Sequence, residues 1–344
     1  MCIRDRSWEY DSDKLVRTYS KGESLSDVVV KFKKIAAKEV GKLKGIEEDN
    51  ARIIKERLSL VNEISDIVNL SDITLFNNPL SKSSKKAEAN GLWEGEVVED
   101  LVSYSVGCMF GRYSIDKGGL ILANQGSTLA NYYAQIPNPR FVPDSDNCIP
   151  IFDEDWFADD IVTRFREFVR VTFGEEHYAE NMAFIEKTLN VKNKKGWTIR
   201  DYFAKDFYED HVKRYRKRPI YWLFTSPKGS FKCLIYLHRY NRSTVGVVLN
   251  SYLRNFMQKL QTFIELADKT MDNSQATARE QSAALKNKAK FSKMLDELRA
   301  YERDVLYPLA QESIELDLDD GVKVNYLKFG SALKKIPGLA GKDE

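Results

Sequence analysis

Apolar residues recur at three- and four-residue steps along most of the chain, which is the spacing of amphipathic helices. Over residues 24–70 this pattern predicts two helices that break near Gly41 to Gly45. Thr198 is a candidate N-cap for a helix that runs to about residue 215. The same spacing predicts further helices over 96–110, 153–173, 175–189, 244–266 and 277–309.

Two stretches follow a different pattern, with aromatic and β-branched residues in short runs. Residues 220–225 (IYWLFT) and 231–237 (FKCLIYL) flank the turn-forming sequence SPKGS, which predicts a β-hairpin. A last strand is predicted at Gly321, followed by a short basic helix near 331–335. The expected fold class is α+β and predominantly helical, with amphipathic helices around a small antiparallel sheet.

Changes in composition suggest how the chain is divided. Residues 1–6 fit no pattern and are interpreted as a non-native start. Residues 77–95, rich in Ser, Lys and Asn, are predicted to form a linker after a helical connector over 7–76. A mixed α+β region over 96–243 and a helical region over 244–344 complete the division.

The net charge of the 344 residues is only +2, but the charges are distributed unevenly. Residues 144–160 contain acids and no Lys or Arg, whereas residues 213–242 contain cations and no Asp or Glu. The cations are Lys213, Arg214, Arg216, Lys217, Arg218, Lys228, Lys232, Arg239 and Arg242. Uncompensated cations release counterions from a phosphate backbone, so this basic block is the main candidate for DNA contact. The alternative is that these cations pair with the acidic stretch and that the intervening aromatic rings form a hydrophobic sheet face.

Residues 238–242 follow the second predicted strand, where a rigid scaffold presents loop side chains. Arg239 and Asn241 are suited to bidentate contacts with guanine and adenine edges, respectively. In the alternative interpretation, His238 and Tyr240 cap the sheet and Arg239 meets a carboxylate.

Several functional classes are disfavoured by the composition. The four cysteines lack C-x-x-C spacing, and the three histidines provide no zinc-like group, so reduced thiols and no metal are expected. The acids of 144–160 lack the spacing of a calcium loop. No run of about 18 apolar residues suggests a membrane span, and a cytoplasmic location is expected.

Four segments in series resemble one family, the PglX adenine-specific DNA methyltransferases of bacteriophage-exclusion (BREX) systems. They are LVSYSVGCMFGRY at 101–113, DEDWF at 153–157, RPIYWLF at 218–224 and LIYLHRY at 234–240. The resemblance implies transfer of a methyl group from S-adenosylmethionine to the exocyclic amine of adenine, in phage defence. It also implies a Rossmann-like catalytic domain, a target-recognition region and a helical carboxy-terminal part, and it adds Arg112 to the DNA-binding candidates.

The motifs of methyl transfer do not occur in this chain. A glycine-rich cofactor turn is lacking, and the loop nearest to Asn/Asp-Pro-Pro-aromatic is Asn138-Pro139-Arg140-Phe141, where Arg replaces the second Pro. We therefore expect the target-recognition and carboxy-terminal part of such an enzyme, without a Rossmann-like domain, catalytic residues or a cofactor of its own.

The expected partners are double-stranded DNA, an upstream methyltransferase domain and other BREX proteins. The alternative is a helical protein-interaction scaffold that does not bind nucleic acid. The DNA-binding candidates are Arg112, Lys213, Arg214, Arg216, Lys217, Arg218, Lys228, Lys232, Arg239, Asn241 and Arg242.

Overall fold

The computed structural model describes residues 10–58, 65–75, 78–82, 85–191 and 193–339. Its helices up to the hairpin are α1 (Lys14–Thr18), α2 (Leu25–Arg57), α3 (Lys86–Met109), α4 (Leu129–Gln135), α5 (Ile161–Phe173), α6 (Tyr178–Leu189), α7 (Ile199–Lys205) and α8 (Phe207–Arg214). After the hairpin follow α9 (Thr244–Val247), α10 (Arg254–Asp272), α11 (Ala278–Tyr301), α12 (Tyr307–Glu312) and α13 (Gly321–Leu327). The strands are β1 (Cys148–Pro150), β2 (Tyr221–Thr225) and β3 (Lys232–Tyr236). The α+β, mostly helical class is confirmed.

Polar side chains cap the helices where the sequence supplies them. Ser24 accepts a hydrogen bond from the Asp27 amide at the start of α2, and Asp160 accepts one from the Thr163 amide at the start of α5. Thr198 starts α7 with a capping box, as expected for an N-cap. The predicted helix from Thr198 is interrupted at Asp206, which separates α7 from α8.

Several helix boundaries differ from the sequence prediction. The helix predicted over 153–173 begins only at Ile161, because Asp160 caps it there. Helix α2 continues through Gly41 and Gly45, although each glycine costs about 1 kcal/mol in a helix interior. No proline or cap accompanies these glycines, so the helical hydrogen bonds continue through them. Helix α3 begins at Lys86, inside the predicted linker over 77–95, and its carboxy-terminal half is buried on every side.

The sheet is antiparallel throughout, in the order β1-β3-β2. The predicted hairpin is confirmed, with Tyr221 opposite Tyr236 and Thr225 opposite Lys232. Nearly every residue of β2 and β3 is buried, on both faces of the sheet. The hairpin therefore lies in the core rather than at the surface.

The carboxy-terminal elements also differ from the prediction. Gly321 begins helix α13 rather than a strand, and near 331–335 there is one turn of 3-10 helix, Gly330–Ala332, in place of a basic helix. Leu333 then forms an isolated antiparallel bridge with Phe224 of β2. The strand pairing thus lies twelve residues beyond Gly321, where a buried partner strand is available.

None of the helices in the described ranges is long and apolar enough to cross a membrane. Cys108, Cys148 and Cys233 are free and buried thiols, while Cys2 and the interpretation of residues 1–6 lie outside the described residues. Within those residues no group of three His, Cys, Asp or Glu side chains is arranged to hold a metal ion.

Gly107 of α3 lies where the core leaves no room for a side chain. A Cβ atom at this position would overlap the ring of Tyr113 and lie 3.3 Å from the Tyr221 hydroxyl. Tyr113 itself stacks on Tyr104 with ring centroids 5.3 Å apart, so it has little space to move. The close packing of the Tyr113 ring on α3 therefore depends on glycine.

We predict that Gly107→Ala lowers the free energy of unfolding by about 2 kcal/mol because it overpacks this contact. Gly95→Ala in the same helix is the matched control, since a Cβ there meets nothing within 4 Å. The control should be neutral or stabilising by about 0.5 kcal/mol. Urea denaturation measures both variants, and equal effects would contradict the packing argument.

Candidate nucleic-acid interface

The hairpin register brings two predicted DNA-binding segments to the same end of the sheet. The chain enters β2 just after Arg218 and leaves β3 just before Arg239, and Tyr221 lies opposite Tyr236. The Leu237 amide donates to the Ile220 carbonyl at 3.0 Å, which extends the pairing by one step. Residues 213–218 and 239–242 therefore lie at one end of the hairpin.

We define the basic turn as the exposed cations Lys213, Arg216, Lys217 and Arg218, which lie at the end of α8 and just after it. Arg216 and Lys217 both adopt left-handed backbone angles, with φ of 50° and 62°. This conformation costs roughly 1–2 kcal/mol for each residue with a side chain. The Lys217 amide donates to the Val212 carbonyl at 2.8 Å, which closes the helix end and fixes the turn. The structure thus places four cations together on the surface.

Arg214 differs from its neighbours because it lies mostly inside the molecule. Its guanidinium forms an ion pair with Asp100 of α3, and both side chains are largely buried. Burial, and then the nearby carboxylate of Asp210, raise the pKa of Glu99 beside this pair to about 7. Arg214 therefore joins α8 to α3 in a cluster rich in carboxyl groups.

Arg239 is also buried, with 7% of its surface exposed. Its guanidinium donates to the carbonyl of Phe110, at 3.3 Å, and to the carbonyl of Ser145, at 3.2 Å. These bonds join the end of β3 to the loop after α3 and to the loop before β1. A guanidinium held in this way positions loops, although part of it lines the cleft described below.

Asn241 and Arg242 are exposed beyond Arg239. The side-chain oxygen of Asn241 accepts hydrogen bonds from the Ser243 amide, at 2.9 Å, and from the Ser243 hydroxyl, at 2.6 Å. Its amide nitrogen is left to donate, so the two-way contact with adenine is not available in this conformation. Arg242 pairs with Glu315 at the surface.

His238 and Tyr240 lie against the sheet, as in the alternative interpretation of this segment. The His238 ring lies 5.0 Å from the ring of Tyr236, and burial, then the charge of Arg112, lower its pKa to about 4. The Tyr240 hydroxyl donates to the Ile314 carbonyl at 2.8 Å. Both side chains therefore fix the end of the hairpin.

The remaining candidates lie elsewhere. Arg112 is buried among tyrosines and donates to the hydroxyls of Tyr113, at 3.0 Å, and Tyr236, at 2.9 Å. Lys228 and Lys232 lie at the opposite end of the hairpin, about 14 Å away along the strands. Lys232 is partly buried and donates to the Ala204 carbonyl. These three cations do not join the basic turn.

A polar cleft opens at the same end of the hairpin as the basic turn. Its volume is about 320 Å³. Three loops and the first turn of α9 form its walls: Gly126, Ser127, Thr128, Leu129, Ser145, Asp146, Asn147, Arg239, Tyr240, Asn241, Ser243 and Val247. Most of these side chains offer both donors and acceptors, which is typical of sites for small polar groups.

One carboxyl group, that of Asp146, lines the cleft, and those of Asp144 and Asp159 lie close to it. Burial, and then the carboxylate of Asp146, raise the pKa of Asp144 to about 7. The hydroxyl of Tyr252 lies 3.0 Å from one oxygen of Asp146 and 2.8 Å from one of Asp159. Tyr252 belongs to the π-helical segment Val248–Leu253, between α9 and α10, and such segments frequently occur at functional sites.

The sequence disfavours a calcium site in the acids of 144–160, which include Asp144 and Asp146, and it did not predict the cleft. The sequence feature that could have indicated them is a run of acids without cations, which surrounds strand β1. Tyr252 gave no signal, because a π-helical turn has no sequence pattern that distinguishes it from the surrounding helix.

Comparison with known proteins gives the class to which this chain is related. It is 36% identical over 350 residues to the adenine-specific methyltransferase BrxX of Escherichia coli O9:H4 (strain HS), covering 98% of this chain and 28% of the relative. It is 33% identical over 343 residues to the adenine-specific methyltransferase PglX of Lacticaseibacillus casei (strain Zhang), covering 97% of this chain and 27% of the relative. No family model matches the chain.

The chain is therefore homologous to part of the adenine-specific methyltransferases. Within that class its relatives are the BrxX and PglX proteins, which confirms the resemblance to the PglX family of BREX systems. The chain spans a little over a quarter of the length of these two relatives. Its assignment to their carboxy-terminal region stays a prediction.

The raised pKa of Asp144 predicts a pH-dependent loss of stability. Between its ordinary value of 3.8 and about 7, the folded protein keeps a proton that the unfolded chain has released. The contribution of Asp144 to the free energy of unfolding is therefore greatest below pH 4. It falls as the pH rises towards 7 and is constant above pH 7. Asp144→Asn removes this dependence and keeps an oxygen that can accept from the Cys148 amide.

Urea denaturation at pH 5 and at pH 8 tests this. The difference in unfolding free energy between Asp144→Asn and the parent should be larger at pH 8 than at pH 5, by on the order of 2 kcal/mol in favour of the variant. Asp272→Asn, at an exposed carboxylate, is the control and should show no such change. An equal effect of Asp144→Asn at both pH values would contradict the assignment.

Proposed function

We propose that this chain is the DNA-engaging part of a BREX adenine-specific methyltransferase and that it holds duplex DNA through the basic turn. The observation that carries the proposal is the group of exposed cations Lys213, Arg216, Lys217 and Arg218, at the same end of the hairpin as the polar cleft. The relatives are named adenine-specific methyltransferases, which supports a role in adenine methylation for the enzyme to which this chain would belong.

The basic turn is suited to phosphate rather than to base contacts. Its cations have long, flexible side chains on a backbone fixed by the closed end of α8, so they can approach a strand backbone without reading its sequence. Arg242 at the same end of the hairpin is paired with Glu315 and is not counted among these cations. We assign Arg112, Arg214 and Arg239 to positioning, because they are engaged inside the molecule.

In this proposal the methyl donor is S-adenosylmethionine, and it binds to an upstream methyltransferase domain rather than to this chain. The full enzyme would modify adenine in host DNA in the cytoplasm as part of phage defence, together with other BREX proteins. The contribution of this chain is to hold the duplex and to select the site.

We predict that neutralising the basic turn with Arg216→Gln, Lys217→Gln and Arg218→Gln weakens binding to non-specific duplex DNA by at least tenfold at low salt. The slope of log affinity against log salt should fall by about 2 to 3, because each lost phosphate contact removes about 0.9. Fluorescence anisotropy with a labelled duplex across a salt series measures both quantities.

The control replaces three other exposed lysines, Lys205, Lys228 and Lys269, with Gln. It makes the same change in net charge away from the basic turn and should leave the slope within experimental error of the parent. Equal losses in both triple variants would indicate a general charge effect. Absence of duplex binding by the parent would favour the protein-interaction scaffold instead.

A further prediction concerns the cofactor. We expect millimolar S-adenosylmethionine to leave the thermal unfolding midpoint of this chain unchanged, because a ligand stabilises only a fold that binds it. A rise of several degrees, reproduced as heat of binding by calorimetry, would place a cofactor site in this chain and overturn the division of labour proposed above.

A further inference from the structure

The polar cleft has the size and the surfaces of a site for one flat polar ring. Its volume of about 320 Å³ is at the lower end of the range of small-molecule sites. Leu129 and Val247 supply apolar surface, and the hydroxyls of Ser127 and Ser243 lie among its walls. A nucleobase has this combination of apolar faces and polar edges.

The charges around the cleft indicate which edge would be accepted. Tyr252 has one hydroxyl proton, yet its oxygen lies within hydrogen-bonding distance of both Asp146 and Asp159. Only one of these carboxyl groups can receive that proton. The Cys148 amide also donates to Asp146, at 3.0 Å, but the two carboxylate oxygens have lone pairs for a further donor. Asp146 is the member of the pair that lines the cleft.

Arg239 is the cation that lines the cleft, and its guanidinium is not available to bind a phosphate there. The Arg239 guanidinium donates to the carbonyls of Phe110 and Ser145, and it faces Asp144 as well. A phosphate in the cleft would meet the carboxylate of Asp146 directly. An amino group would instead donate to that carboxylate, which is the contact that acidic side chains make with the cytosine amine.

We propose that the cleft binds an amino-bearing nucleobase of the DNA held by the basic turn, and that Asp146 accepts a hydrogen bond from its exocyclic amine. This inference rests on the proposed DNA binding and adds a specificity-determining residue to it. The residues of the cleft and the basic turn adjoin the same end of the hairpin, so the proposal places the nucleotide in the cleft on the strand whose phosphates contact the cations.

The test uses three labelled duplexes that are identical except at the centre. One is fully paired, one carries a single unpaired dC, and one carries a single unpaired dT. Cytosine and thymine are both pyrimidines, but thymine has a carbonyl where cytosine has the amine. We expect the protein to bind the dC duplex roughly tenfold more tightly than the dT duplex, as one charge-assisted hydrogen bond would give.

Asp146→Asn should reduce this preference to less than about twofold, since a carboxamide can donate to thymine as well as accept from cytosine. Asp159→Asn is the matched control. It removes an equal charge from the other side of Tyr252 but does not line the cleft, so the preference should be retained. Should Asp146→Asn fail to fold, Val247→Trp fills the cleft from another wall and should also abolish the preference.

The possible results separate the inference from the proposal on which it depends. Salt-sensitive binding to the paired duplex with equal affinity for dC and dT overturns the inference alone. A preference that persists in Asp146→Asn, or that is lost equally in Asp159→Asn, also overturns it. Failure to bind any of the three duplexes overturns the DNA-binding proposal together with the inference.

Discussion

Both faces of the hairpin formed by β2 and β3 are buried, and this determines where the polar side chains around it can lie. A strand that is covered on both sides can present polar groups only at its ends. The register, with Tyr221 opposite Tyr236, then brings the basic turn and the residues after β3 to the same end. At Gly107 of α3 the Tyr113 ring packs where a side chain would lie, and the Tyr221 hydroxyl of the hairpin lies close by.

The hairpin and most of the helices were predictable because their signals are local. Aromatic and β-branched runs around SPKGS identify the two strands, and Ser24 and Thr198 identify helix starts. The failed predictions depended on tertiary contacts. Gly321 begins a helix, and the strand pairing that was expected there occurs at Leu333, where Phe224 supplies a partner.

The candidate site was predictable only in part, for a related reason. The sequence identifies a cluster of cations, but it does not distinguish exposed Arg216 from buried Arg112 and Arg239. Their partners include the carbonyl of Phe110 and the hydroxyl of Tyr236, which are more than 120 residues away along the chain. The cleft could not be predicted either, because its walls come from separate loops that only the folded chain brings together.

Several groups near the proposed interface lie in energetically unfavourable environments. Burial raises the pKa values of Glu99 and Asp144 to about 7, so carboxyl groups lose part of their charge stabilisation in the folded state. The basic turn adds two left-handed residues with bulky cationic side chains. Glycine or asparagine would adopt those backbone angles more easily, so the cationic side chains at these positions are not explained by backbone preference.

The walls of the polar cleft come from loops and from the first turn of a helix, whereas the strands beneath contribute almost none of its side chains. Substitutions among Ser127, Asp146 and Ser243 would therefore change the chemistry of the cleft without repacking the hairpin. In a scaffold of this kind, residues that determine binding preference can change while the residues that determine folding stay the same. Related chains can then diverge in what they accept while they keep one common core.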